Sequence, residues 1–248
     1  MQEIARMFDC LIYEIEQSWY SEIIMEFYHT YNRGVEKRKL FLDDSDYFRG
    51  VHDLFEFNDT SAATNLRRSI VRFTKSNNLE KTRERLVDIG VWGLMPNHYH
   101  FFSSPIKDNG LPAFHRKFGV GFANFFNTKY ARSGALFQGR YKKVPVTDDR
   151  QALQLICYIH ANPLDLWKPN WKEKGLTNSE IQNALKFLEK YRWSSHLDWW
   201  GIKNFPSLID TEFTKRFFDS PEEYRKFFTD WLRYYEKNIQ SIKKFIIE

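Results

Sequence analysis

Met95-Pro96-Asn97-His98-Tyr99-His100-Phe101-Phe102 is a turn signal followed by an aromatic run, and Pro96-Asn97 marks where one strand ends and another begins. Side chains alternate between the two faces of a strand, so His98 and His100 are expected on one face and Tyr99 on the other. Two imidazoles side by side are half of a metal site. They are also what a strand with two hydrogen-bonded or solvated histidines looks like, so the pair gains meaning only from further ligands and a reactive group elsewhere.

Working outward, Arg85 to Leu94 contains Leu86, Val87, Ile89, Val91 and Trp92, a run too continuous for a strand with one wet face. It predicts a central strand buried on both sides, joined through Pro96-Asn97 to the histidine strand as an antiparallel hairpin. Phe27-Tyr28-His29-Thr30-Tyr31, rich in β-formers and closed by Asn32-Arg33-Gly34, predicts a further strand. Helical spacing is expected over residues 1 to about 24 and from a cap at Asp43, Asp44 or Ser45 to about Phe57, with Tyr47, Val51, Leu54 and Phe55 as the apolar stripe. It is also expected over about 65 to 76 and over 110 to 132. In the last of these Leu111, Phe114, Phe118, Phe122 and Phe125 form a stripe that reads as core, with His115, Arg116, Lys117, Lys129 and Arg132 on the other faces and Gly134 as the stop.

The chain has 248 residues, of which 42% are hydrophobic, so it folds around a sizeable core. An aromatic share of 18% leaves rings to spare for stacking on bases, and a net charge of +5 with an isoelectric point near 9.0 leans towards an anionic partner. Leu136 to Val144 interleaves Phe137, Arg140, Tyr141, Lys142 and Lys143 beside Gly139, a basic and aromatic β-segment of the kind that holds single-stranded nucleic acid, with a plain surface hairpin as the alternative. Lys37-Arg38-Lys39 and the trio Arg67, Arg68 and Arg72 are either phosphate contacts or solvated faces. The two cysteines, Cys10 and Cys157, lie far apart, which suits a reducing cytosol and excludes a cysteine-rich zinc site. No run of about 20 apolar residues offers a membrane span, and Glu3, Asp9, Glu14 and Glu16 stand where a signal peptide would be basic and then apolar. The expectation is a soluble, cytoplasmic protein without membrane contact.

Thr147, Asp148 and Asp149 announce a helix that Pro163 ends. Ala152, Leu155, Ile156 and Ile159 form its buried stripe, and Gln151, Gln154, Tyr158 and Asn162 run along its edge, where a side chain reaches a site without being buried in the core. His98-Tyr99-His100 has the form of the histidine-hydrophobic-histidine (HUH) motif, and Tyr158-Ile159-His160-Ala161-Asn162-Pro163 resembles the tyrosine helix of the REP-associated tyrosine transposases. Further matches are Tyr28 to Gly34, Met95-Pro96-Asn97, Gly134 to Tyr141, and Arg192-Trp193-Ser194-Ser195, in the same order over roughly residues 27 to 200.

The resemblance implies a metal-dependent enzyme that cuts single-stranded DNA at hairpin or palindromic elements and joins it to tyrosine through a 5'-phosphotyrosine. It implies His98, His100 and Asn162 as ligands of a divalent ion, Mg²⁺ or Mn²⁺, and Tyr158 as nucleophile. Two nitrogens and an amide oxygen leave positions open, which suits such an ion better than a closed zinc site. Arg33, Gln138, Arg140, Tyr141, Lys142 and Lys143 are the candidate DNA contacts, and His29 could line the site. Tyr130 is the rival nucleophile, and His160, about 200° from Tyr158, reads as structural. A non-catalytic nucleic-acid-binding descendant of the fold is the alternative function, a replication initiator or relaxase a second, and monomer and homodimer both stay open.

After Pro163 the reading is a loop at 167 to 171, a helix from about Ser179 to Tyr191, irregular chain over 192 to 205, and two short helices around Ser220-Pro221. The aromatic residues of these last helices are core or interface, or a surface that recognises a DNA hairpin. The expected architecture is α+β: a central antiparallel sheet with packed helices, HUH endonuclease-like, over 25–175, an N-terminal helical extension over 1–24 and a C-terminal helical appendage over 176–248.

Overall fold

The computed structural model describes residues 26–62 and 83–235; the expected N-terminal helix, Cys10 and the segment bearing Arg67, Arg68 and Arg72 lie outside the described residues. Strands β1 (Phe27–Arg33), β2 (Val87–Met95), β3 (His98–Pro105) and β4 (Lys142–Val146) form one sheet in the order β2-β3-β1-β4, antiparallel throughout. The fold is α+β, with the histidine strand β3 inside the sheet and hairpin-paired to β2 as expected.

Helices α1 (Asp44–Glu56) and α2 (Gly110–Lys129) cover one face. There Trp92, Leu94, Tyr99 and Phe101 pack against Val51, Leu54, Phe114, Phe118 and Phe122. Asp43 starts α1 by accepting from the Asp46 amide while the Asp46 side chain reaches back to it, a capping box that satisfies two of the amides a helix start leaves unpaired. Helix α3 (Asp149–Ala161) covers the other face, where Phe27, Val91 and Phe102 meet Ile156 and Ile159. The short helices α4 (Leu164–Trp167) and α5 (Trp171–Lys174) follow, then α6 (Asn178–Leu188), α7 (His196–Trp199), α8 (Thr211–Lys215) and α9 (Pro221–Arg233). Helix α9 lays Tyr224, Phe227, Phe228 and Trp231 into the core that α3 enters, and Trp231 Nε1 donates to Gln154 Oε1 at 2.5 Å.

Several expectations need correcting. Strand β2 is the outermost strand rather than a central one; it is buried on both faces because helices flank it, and its free edge is paired by Leu94 N to Trp193 O and Ser195 N to Trp92 O, both 2.9 Å. The region 192–205, expected to be irregular, thus supplies that edge pairing and the helix α7. Helix α2 stops at Lys129, before Gly134, and buries Phe126 while Phe125 is only half-buried. His115, expected on an outer face, is buried with Nε2 on Thr30 Oγ1 at 2.9 Å. Strand β4 begins at Lys142; residues 136–141 precede it as loop, with Phe137 bridging to Gly34. Helix α3 has no fully exposed edge: Gln154, Tyr158 and Asn162 are all buried, Gln154 under Trp231 of α9 and Tyr158 and Asn162 beside Lys172.

Glycines on β2 set how closely the helices approach. A Cβ at Gly93 would lie 3.3 Å from Ile159 Cγ2, so the bare backbone lets α3 settle onto the sheet beside His100, the cross-strand partner of Gly93. At Gly90, where the β2–β3 register shifts, a Cβ would fall 2.0 Å from the Phe213 ring of α8.

Candidate active site

Cross-strand register builds the first wall. His98 stands opposite Arg33 and His100 opposite Tyr31, all on the sheet face that α3 covers. The loop after β1 holds the hairpin turn in place: Gly34 N donates to Asn97 O at 2.8 Å and Leu40 N to Pro96 O at 2.6 Å. His98 Nδ1 donates to Asn97 Oδ1 at 2.6 Å, which leaves Nε2 unprotonated, and His100 Nδ1 lies 2.9 Å from Nε2 of the buried His29, leaving Nε2 as its remaining ring nitrogen. The His98 and His100 rings are 4.9 Å apart. Burial above all, then the charges of Arg33 and Lys172, pushes His98 down to about 3; burial, then the neighbouring His98 and His29, pushes His100 well below the ordinary histidine range. Both are neutral imidazoles, the form that binds a cation.

The second wall is the end of α3. Tyr158 sets its ring edge-on to His100 with 5.7 Å between centroids. One turn on, Asn162 closes the helix with its amide on Tyr158 O at 3.0 Å and its side-chain Nδ2 3.5 Å from His98 Nε2. Asn162 Oδ1 accepts from Lys172 Nζ at 3.4 Å; that ammonium also lies 5.2 Å from the Tyr158 ring centre and bonds Asp165 Oδ2 at 2.8 Å. Trp171 Nε1 donates to the other Asp165 oxygen at 2.8 Å, so the turn from α4 to α5 is braced around that carboxylate.

Between the walls opens a cavity of about 1240 Å³. His98, His100, Tyr158 and Asn162 line its floor, Arg33, Lys37, Lys39, Arg140 and Lys142 supply cations, and Tyr31, Gln138 and Tyr141 stand among them. Among the described residues five cations line it against one carboxylate, that of Asp165, so its field favours an anion. The His115 ring backs Tyr141 at 3.9 Å, nearly parallel, which holds that exposed-edge phenol in one orientation.

Of the residues singled out from the sequence, the fold brings His98, His100, Tyr158, Asn162, Arg33, Gln138, Arg140, Tyr141 and Lys142 to this one cavity. Lys143 lies elsewhere, its Nζ 4.1 Å from the Tyr28 ring centre. His29 sits behind His100 rather than in the lining, and Tyr130 bonds Asp46 at 2.7 Å, outside the cavity. Two members of the basic cluster, Lys37 and Lys39, do line it. Sequence reading missed Lys172 and Asp165. Asp165 continues the 151-154-158-162 series by three residues and was within reach of that pattern; nothing in the spacing marks Lys172.

Among the described residues no group of three His, Cys, Asp or Glu side chains could hold a metal ion. Beside the two histidines the Asn162 amide, 3.5 Å from His98 Nε2, offers a further donor. His98 fits, being neutral with its Nε2 lone pair set by the Nδ1 bond to Asn97, and His100 fits in the tautomer whose Nδ1 donates to His29; Asn162 fits once its amide turns Oδ1 to the histidines. Among the described residues no helix is long and apolar enough to cross a membrane.

No family model and no curated protein matches the chain. Among solved structures the chain is similar to one described as "Structure of the REP associates tyrosine transposase bound to a REP hairpin", with 12% sequence identity, a TM-score of 0.40, and coverage of 71% of this chain and 79% of that chain. So distant a likeness carries neither fold nor function, which rest on the sheet, the helices and the cavity themselves.

Proposed function

We propose that this chain is a metal-dependent endonuclease and transposase of single-stranded DNA that works through a 5'-phosphotyrosine, at sequences that fold into hairpins. The observation that carries this reading is the meeting of Tyr158 with His98, His100 and Asn162 on the floor of one cation-lined cavity. In the reaction the Tyr158 hydroxyl oxygen attacks the phosphorus, the bond to the 3' oxygen breaks, and the phenolic proton is lost as the departing 3' oxygen gains one. The arriving 3'-hydroxyl of another end reverses the exchange, so the bond energy is kept and no nucleotide cofactor is consumed.

Arg33, Arg140 and Lys142 hold the flanking phosphates, and Tyr31 and Tyr141 offer rings for bases. His98, His100 and Asn162 would hold Mg²⁺ or Mn²⁺, which when bound supplies Lewis-acid neutralisation of the charge developing on the phosphate. The preference for hairpins rests on the sequence resemblance. Monomer and homodimer serve the chemistry equally.

A second reading, a binding module without turnover, has one observation in its favour: Tyr158 is only 2% exposed, and the Asn162 amide offers its NH₂ group rather than its oxygen to His98. Incubating the protein and Mn²⁺ with hairpin-bearing single strands from the DNA flanking its gene separates the two. The expected result is a protein–DNA adduct that survives denaturation and is lost in Tyr158→Phe. An adduct that persists in Tyr158→Phe removes the nucleophile; metal-independent binding without any adduct establishes the binding module.

A further inference from the structure

The Asn162 side chain belongs to a directional chain of hydrogen bonds. Lys172 Nζ donates to Asn162 Oδ1 at 3.4 Å, Asn162 Nδ2 to His98 Nε2 at 3.5 Å, His98 Nδ1 to Asn97 Oδ1 at 2.6 Å, and Asn97 Nδ2 to the Lys37 carbonyl at 3.5 Å. Each link dictates the next. An ammonium can only donate and a backbone carbonyl can only accept, so both amides and the His98 tautomer are fixed from the two ends. The polarity that results is the reverse of what a metal ligand needs, because the only oxygen of the Asn162 side chain is turned to Lys172.

The two contacts that hold the amide are at the long, weak end of hydrogen bonding. A phosphate oxygen offers the same ammonium a shorter, charge-assisted bond. Lys172 is placed to take it: the ammonium stands beside the Tyr158 ring and is held by Asp165, itself braced by Trp171, and both Tyr158 and Asp165 line the cavity.

We propose that Lys172 is a phosphate-responsive latch on Asn162. In the DNA-free state it holds the Asn162 oxygen away from His98 and His100. When a phosphodiester enters beside Tyr158, the ammonium exchanges Asn162 Oδ1 for a phosphate oxygen, and the amide turns its oxygen to the histidines. Nucleic acid and divalent cation therefore bind with positive coupling, each raising affinity for the other by the same factor. The inference rests on the reading above for the two occupants, an ion at the histidines and a phosphodiester at the tyrosine.

Mn²⁺ titration of the full chain, followed by the electron paramagnetic resonance signal of the free ion, tests it with and without saturating short oligodeoxythymidylate. In the wild type the oligonucleotide is expected to tighten Mn²⁺ binding about fivefold or more, the lower end of ordinary coupling between sites. Lys172→Met lacks the latch and is expected to bind Mn²⁺ more tightly than wild type without DNA and to gain less from DNA than wild type does. Lys172→Gln keeps a donor for Asn162 but no charge; it is expected to bind Mn²⁺ as wild type does without DNA and also to gain less from DNA than wild type. Equal coupling in wild type and either variant, or no coupling in the wild type, overturns the latch. The outcome is separable from the adduct assay: adduct formation with unchanged coupling in Lys172→Met leaves the transposase without a latch, whereas coupling reduced in Lys172→Met without any adduct leaves the latch in a binding protein.

Discussion

Two constellations of two imidazoles and one phenol share helix α3. On the sheet side His98, His100 and Tyr158 face the cavity; on the other, His160, His196 and Tyr224 are sealed inside the protein. In the sealed set the Tyr224 hydroxyl lies 2.7 Å from His160 Nδ1 and 2.9 Å from His196 Nδ1, and His160 Nε2 lies 2.7 Å from Ser195 Oγ, which in turn receives the Trp92 amide at 2.9 Å. The partners there are all neutral, and they tie α3, α9 and β2 together. In the open set the neighbours include Lys172 and Arg33, and both imidazoles line a cavity that an ion or a phosphate can enter. The residue types are the same, so composition makes neither a site. Access and a fixed positive field are what the open set has and the sealed set lacks.

The sharpest way to break that distinction is to remove one hydroxyl from each set. Tyr158→Phe is expected to lose adduct formation completely while unfolding much as wild type does. Tyr224→Phe is expected to keep the adduct but to lose about 1–3 kcal/mol of stability, because two buried imidazoles lose their partner. Denaturing gels and urea midpoints read the two effects. A Tyr224→Phe protein that is stable but fails to form the adduct would move the chemistry to the wrong side of the helix.

Protonation separates the sets more gently. Burial pushes His196 down to about 3 and His160 well below the ordinary range, His160 further through the nearby His196. A histidine whose folded value is depressed binds fewer protons folded than unfolded between about 3 and about 6.5, so its contribution is complete above that window and is lost as pH falls through it. Each such histidine removes about 1.4 kcal/mol per pH unit. Asp88, raised to about 6 chiefly by burial, works in the opposite direction in the same window, so the comparison is between proteins rather than between pH values alone. His196→Gln is expected to be less stable at neutral pH and to lose stability less steeply than wild type between pH 6.5 and 4.5, by about one proton's slope. Equal slopes by urea denaturation would mean that His196 accepts its proton in the folded state.

Much of this arrangement was legible in the residues because it rests on local rules. The turn at Pro96-Asn97 and the period of two put His98 and His100 on one face, and helical spacing put Tyr158 and Asn162 on one side of α3. What stayed hidden is what long-range packing decides. A continuous apolar run means burial on both faces, but it does not say whether a strand or residues 193–195 cover the edge of β2. The wheel that gave α3 an exposed border could not include α9, whose Trp231 covers Gln154, or the reversal after Pro163 that sets Lys172 beside Tyr158 and Asn162. Lys172 was missed for the same reason: two short helices after Pro163 fold it back over Tyr158, and no periodicity spans that reversal.

Adjacent lysines on β4 apply the same test at the cavity mouth with the smallest effect. Lys142 pairs across the sheet with Tyr31 and lines the cavity; Lys143 pairs with Thr30 and sets its ammonium over Tyr28. Both are exposed, so neither substitution should disturb folding, and a net-charge argument predicts the same loss from each. If position in the cavity governs, Lys142→Ala lowers the slope of log affinity against log salt for single-stranded DNA by about 0.7, the share of one phosphate contact, and Lys143→Ala leaves it unchanged. Fluorescence anisotropy with a short labelled strand across a salt series resolves the two. Equal slopes in both variants would mean that the DNA reads the charge of the β4 edge as a whole, and that the strand's alternation, which separates cavity-lining side chains from the others elsewhere on this sheet, stops mattering at its rim.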